Sequence, residues 1–278
     1  MLSSQQIIQN WNRFLDIIEN QLPSDRSSIL LDFYNKHEDR ISMMPASEKN
    51  WKHSAFAGGY IDHVLRVYDI ALMSNKIWLE TGAVASFSEA ELAFVALHHD
   101  LGKMGTEEFE YYLPNDSDWH VKNMGMVYKF NDKVDPMKIN ERSLFILQSL
   151  GINLTHEEFM AIKLSDGLYD DSNKFYFFAG QKETKIKSYL PFLLHHSIIQ
   201  ASQIEFQKWL DEKNSVDDFR RSITEKPFDL SEETEIKTKP ASKAYKTQKI
   251  SEIDSVKNNP QLSTKTLDII NNLFKDEK

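Results

Sequence analysis

Phe94-Val95-Ala96-Leu97-His98-His99-Asp100-Leu101-Gly102-Lys103 is the stretch that decides the fold. An apolar run closes on two histidines and an aspartate, and Gly102 follows at once as a helix stop. Leu92, Val95, Ala96 and His99 recur at i, i+3, i+4 and i+7, so His99 shares the buried face of one helix. His98 stacks over Glu91 and Phe94 and reads as a boundary position. Burying an unpaired imidazole or carboxylate is costly, or it shifts the protonation of the group. A cation held between His99 and Asp100 removes that penalty. His63, in the apolar helix Ile61-Asp62-His63-Val64-Leu65-Arg66-Val67-Tyr68, supplies a second imidazole. For any single histidine a satisfied core position is the better reading; the three residues together favour a metal site.

Outward from this stretch the chain reads as mostly α. Ile7, Ile8, Trp11, Phe14, Leu15 and Ile18 follow helical spacing, and a second helix is expected from about Ser24 to Tyr34. The polar segment Ser42 to Gly59 is irregular and leads into a long helix from about Tyr60 to Leu79. Ser88 with Glu91 forms a capping box for the helix ending at His99. Residues 103–138 are rich in Gly, Pro, Asn and Asp and read as a long loop with a short hairpin. Its candidate strands are Tyr111-Tyr112-Leu113 and Met126-Val127-Tyr128. Further helices are expected at Asn140 to Leu150, Thr155 to Leu164 and Leu190 to Trp209.

These elements make one helical domain, 1–211. The segment 212–260 has few large apolar groups and reads as a charged linker, because it cannot bury enough surface to offset its ordering entropy. Residues 261–278 form a short amphipathic helix at the end of a flexible tail, with Leu267, Ile270 and Phe274 on one face. So short a helix needs a docking surface, either its own domain or, through residues 262–274, a protein partner.

Composition narrows the chemistry. The 278 residues are 41% apolar, sufficient for one large core. There is no cysteine, so disulfides and thiolate metal sites are excluded, and His, Asp and Glu must hold any transition metal. Two imidazoles and a carboxylate suit Mn, Fe, Zn or Co, and Ca less well. The opening residues lack the basic and hydrophobic regions of a signal peptide, and no run approaches the roughly 20 apolar residues of a membrane span. A soluble, cytoplasmic protein without membrane contact is expected. The net charge of −9 argues against a broad surface for long nucleic acid, but leaves room for a local basic pocket.

His63 followed by His99-Asp100 in His-Asp-Leu-Gly-Lys resembles the HD-domain metal-dependent phosphohydrolase superfamily. The segment Pro45-Ala46-Ser47, then His53-Ser54-Ala55-Phe56-Ala57-Gly58-Gly59-Tyr60-Ile61-Asp62-His63, is similar to the entry segment of bacterial HD-type 3′–5′ exoribonucleases and of stand-alone phage-type HD proteins. Leu164-Ser165-Asp166-Gly167-Leu168-Tyr169-Asp170 also looks like the phage group, and the resemblance covers about residues 40–210. It implies an HD-domain helical bundle holding one divalent metal (Mn, Fe, Zn, Co or Mg) through His63, His99 and Asp100. It also implies hydrolysis of a nucleotide or nucleic-acid phosphate, with Asp100 and Lys103 catalytic.

Lys103 either neutralises a phosphate oxygen or interacts with the helix C-terminus. His53, Arg66, His120, Lys122 and Asp166 are the candidates for substrate binding. For each there is a structural alternative: Arg66 pairing with Asp62, a solvated loop around His120 and Lys122, an Asp-Gly turn at Asp166. The chain departs from the family at Ile198, which stands where the distant metal-binding Asp is expected. Asp166, His195 and His196 are the residues that could take its place, while Glu205 lies roughly 10 Å further along the helix at about 1.5 Å per residue. Without that carboxylate the metal is held weakly, and the alternative function is a non-catalytic HD-fold protein binding a nucleotide or a partner protein. A di-iron oxygenase ranks last, because it needs more ligands than can be assigned.

Overall fold

In the computed structural model the described residues are 2–178, 180, 182 and 185–213. From residue 214 onward the expected linker, and the expected helix at 261–278, lie outside them. Helix α1 (Ser4–Gln21) opens with a capping box, Ser3 with Gln6, and buries Ile7, Ile8, Trp11, Phe14, Leu15 and Ile18, the face its spacing predicts. Next come α2 (Ser24–Lys36), the single turn α3 (Glu38–Ile41), α4 (Gly59–Glu80) and α5 (Glu89–His98). The predicted capping box of Ser88 and Glu91 starts α5. A 3₁₀ turn, Leu101–Met104, is followed by β1 (Tyr112–Pro114), α6 (Asp118–Met124) and β2 (Tyr128–Phe130). The chain continues through α7 (Ile139–Ser149), α8 (His156–Lys163), two 3₁₀ turns, the short α9 (Lys174–Phe177) and α10 (Leu190–Lys213). The described residues are therefore mostly helical, with one antiparallel pair of short strands, and none of their helices is long and apolar enough to cross a membrane.

Helix α5 is the axis of the bundle. It is packed by α1, α4, α8 and α10, and every residue from Leu92 to His98 is buried. Enclosure on all sides explains why its sequence is apolar all round. It also corrects the reading of His98 as a boundary residue. With no solvent side available, its Nδ1 lies 2.6 Å from the Phe94 carbonyl, and its ring stacks on Phe94 beside Tyr34.

Two further expectations shift. The strands pair Tyr112 with Phe130 and Pro114 with Tyr128, one or two residues later than predicted, and α6 lies between them, capped by Ser117. Gly102 is not a left-handed helix stop. A Cβ there would stand 2.2 Å from the Ile139 carbonyl, so the glycine is required by the close approach of α7. The irregular segment before α4 is braced by the hairpin: Lys49 bridges to Met126, and the Tyr128 N–H donates to the Glu48 carbonyl at 3.0 Å.

Candidate metal centre

The pair His99-Asp100 leaves the end of α5 where the chain tightens into the 3₁₀ turn. Ser143 of α7 fixes this corner. Its Oγ accepts the Gly102 N–H at 2.8 Å and lies 2.8 Å from the His99 carbonyl, which has no partner further along α5. The His99 Nδ1–H donates to the Ala96 carbonyl at 3.0 Å, which leaves Nε2 as the bare nitrogen. That Nε2 is buried, has no hydrogen-bond partner among the described residues, and lies 3.6 Å from Asp100 Oδ2.

His63 repeats the arrangement from α4. Its Nδ1–H faces both carboxylate oxygens of Glu205 on α10, each at 3.0 Å, and its buried Nε2 is likewise unpartnered, 3.9 Å from Asp100 Oδ2. Glu205 is only 6% exposed and accepts a second bond from Arg66, whose other arm donates to Asp62 at 2.8 Å. Burial alone would raise the Glu205 pKa; the His63 ring and Arg66 outweigh it and hold the group at about 2. The result is a carboxylate that fixes the tautomer and direction of an imidazole, the usual support of a metal-ligating histidine. Tyr60, one turn before His63, ties α4 to the end of α5 by donating to the Leu97 carbonyl at 3.1 Å.

The third imidazole comes from the irregular segment. The His53 ring lies 4.9 Å from that of His63, centroid to centroid. It is placed by an unusual backbone: Ser54 has φ +43°, a left-handed conformation that bulky side chains rarely adopt. The Ser54 carbonyl lies where a Cβ of Gly59 would be, 1.9 Å from that position, so only glycine at the start of α4 admits the turn.

His53, His63, His99 and Asp100 line a cavity of about 300 Å³, with Lys103, Lys138, Asp166 and Ile198 on its wall. Burial pushes His99 down to about 4 against the pull of Asp100, with His63 and Lys103 adding to the drop. Burial, then Lys103 and His63, push His53 well below the usual imidazole range. Burial opposes the charge on Asp100, yet Lys103, His99 and His63 hold its carboxyl well below the ordinary value. His53 and His99 are thus held toward the neutral form and Asp100 toward the ionised one, the protonation that metal binding needs.

Geometry agrees with that chemistry. One donor atom each from His53, His63 and Asp100 fall within 4.8 Å of one another. Two ligands ~2.1 Å from one ion stand ~3.0–3.4 Å apart when adjacent and ~4.2 Å when opposite. His53 thus stands in this cluster where the sequence reading expected His99; the His99 Nε2 lies 3.6 Å from Asp100 Oδ2, at its edge. Two buried, bare nitrogen atoms beside one carboxylate oxygen are a donor set that suits a cation.

Of the residues singled out in the sequence, His53, His63, His99, Asp100, Lys103 and Asp166 line this cavity. Ile198 lines it as well, so an alkyl group faces the donors. His120 and Lys122 lie elsewhere. Both are on α6, where His120 Nδ1 meets Ser117 Oγ at 2.7 Å and the Lys122 side chain, 76% exposed, is near Asp118. The short helix, not seen in the sequence, turns them outward. Arg66 is spent on Asp62 and Glu205. His195 does not line the cavity: its Nδ1–H donates to the Ser165 carbonyl at 2.8 Å and its Nε2 edge packs against Gly167, while His196 is exposed. The sequence reading missed Glu205 as a partner of His63, and Lys138, which pairs with Asp170 at 2.6 Å on the cavity wall. Comparisons with known protein families, with curated proteins and with solved structures give no match for this chain.

Proposed function

We propose that this protein is a helical metal-dependent phosphohydrolase of the HD type, acting on a nucleotide or a nucleic-acid end. The observation that carries the reading is the pair of buried, unpartnered Nε2 atoms of His63 and His99 on either side of Asp100 Oδ2. A dication bound there would polarise a phosphoryl oxygen and lower the pKa of a bound water. The chain's own residues do the rest. His63, His99 and Asp100 hold the ion, Glu205 keeps the His63 lone pair aimed at it, and His53 stands beside it. Lys103 and Lys138 give the cavity wall two ammonium groups for phosphate oxygens, and Asp166 on the same wall meets a hydrogen-bonding part of the substrate.

Ile198 supports a second reading. A centre with one carboxylate and neutral imidazoles keeps a net positive charge with a dication. It attracts phosphate, yet it lacks the extra carboxylate that would tighten the metal and orient a water. A nucleotide-binding protein without turnover fits that composition, as does one that docks a protein partner through residues 262–274.

The test is calorimetric titration with Mn²⁺, Zn²⁺ and Co²⁺, followed by a phosphate-release screen on nucleotides and short oligonucleotides, using wild type and Ile198→Asp. The expected result is one weakly held dication, slow chelator-sensitive hydrolysis, and tighter binding with faster hydrolysis in the variant. Binding of metal and nucleotide without turnover in either protein moves the conclusion to the second reading. No metal binding by either protein overturns both.

A further inference from the structure

Lys103 is in an unexpected place for a residue assigned to a phosphate. Its Nζ donates to Asp100 Oδ2, the same oxygen that faces His63 and His99, and lies 3.3 Å from Nε2 of His53. The side chain is 8% exposed, so the ammonium is enclosed in the cluster rather than free in the cavity. Asp100, its partner in this buried ion pair, is the anion that the ammonium balances.

We propose that Lys103 is a tethered counter-cation that competes with the metal for Asp100, and that phosphate in the cavity draws it away, so that metal and phosphate bind cooperatively. The proposal rests on the metal-site reading above. A dication and an ammonium cannot both sit against one carboxylate oxygen without strong repulsion in so enclosed a space. Metal entry therefore needs the ammonium to leave Oδ2. The lysine stem is flexible, and the cavity it borders is about 300 Å³, so Nζ has room to move without unfolding the turn. A phosphate there offers the ammonium a new partner and removes the metal's competitor in one step. Linkage then requires the converse: metal raises phosphate affinity by the same factor. The fixed placement of Lys103, three residues after Asp100 on a turn clamped to α7 through Gly102, makes the exchange a property of the fold.

The experiment measures Mn²⁺ binding by electron paramagnetic resonance of the free ion, with and without methylphosphonate as a phosphate mimic that cannot be hydrolysed. The proteins are wild type, Lys103→Met and Lys103→Arg, with Lys103→Gln as a second neutral variant should the methionine protein fail to fold. Wild type binds Mn²⁺ weakly alone and roughly 5–150-fold more tightly with methylphosphonate, the usual span of such coupling. The neutral variants bind Mn²⁺ at least ~10-fold more tightly than wild type without the mimic, and their coupling factor falls toward one. Lys103→Arg keeps the wild-type pattern. Neutral variants that bind no more tightly than wild type, or that keep its coupling, overturn the proposal while leaving the metal site standing. Absence of Mn²⁺ binding in every protein, including the neutral variants, overturns the metal-site reading itself and this proposal with it.

Discussion

Glu205→Gln changes one oxygen to an amide nitrogen at the point where α10 supports α4. In the native arrangement both carboxylate oxygens face the His63 Nδ1–H at 3.0 Å, and one also accepts from Arg66. A glutamine oxygen at the Oε1 position keeps Arg66 and one contact to His63, but the amide N–H group then faces the His63 Nδ1–H at 3.0 Å and the negative charge is lost. Removing one partner of a buried charged pair costs about 3–5 kcal/mol. Arg66 keeps Asp62 at 2.8 Å and the amide fills the same space, so about 2 kcal/mol is expected. A domain of this size loses roughly 2–4 °C of Tm per kcal/mol, so the free protein should melt about 4–8 °C lower. The more specific effect is on the metal. Loss of an imidazole's carboxylate support weakens binding by about 10–100-fold, or ~1.4–2.7 kcal/mol. Scanning calorimetry with and without Zn²⁺, alongside direct titration, separates the two effects. A folded Glu205→Gln protein with wild-type metal affinity would refute the assignment of Glu205 as the group that aims His63.

Acid should weaken the fold early. Burial lowers His98 and His99 to about 4, while in the unfolded chain they titrate near ~6.5. The unfolded state therefore takes up protons first. The stabilising contribution of each ring is complete above about pH 6.5 and is lost as pH falls toward 4, at up to ~1.4 kcal/mol per pH unit. Urea unfolding at pH 7.5, 6 and 5 measures this slope; His98→Gln should flatten it, and a stability constant across that range contradicts the burial argument. Gly102→Ala forces a methyl toward the Ile139 carbonyl 2.2 Å away, so α7 must shift. A loss of about 3 kcal/mol or more is expected, as for overpacking against rigid backbone, and a Tm within 2 °C or so of wild type would show that the corner yields.

What the sequence made legible was local. The face of α1, the capping box of α5 and the placement of His99-Asp100 at its end all follow from residues within one or two turns of each other. The strands were displaced by a residue or two because their register depends on the bridge from Lys49 to Met126, which no local pattern encodes. His98 was misplaced because amphipathic reasoning assumes a solvent side, and four helices close around α5. Glu205 was weighed as a ligand by its distance along α10, a comparison that overlooks its reach to the other nitrogen of His63. The signal was present: Arg66 and His63 share one side of α4 and demand an anion.

The bond between His63 and Glu205 joins residues 142 apart in sequence. Closing so long a segment is entropically demanding and is repaid only when most of the chain is in place. The centre should therefore be assembled late, after the folding barrier. Whatever occupies it then acts chiefly on the reverse reaction: a bound ion lengthens the lifetime of the folded chain by slowing its unfolding and leaves the folding rate almost unchanged.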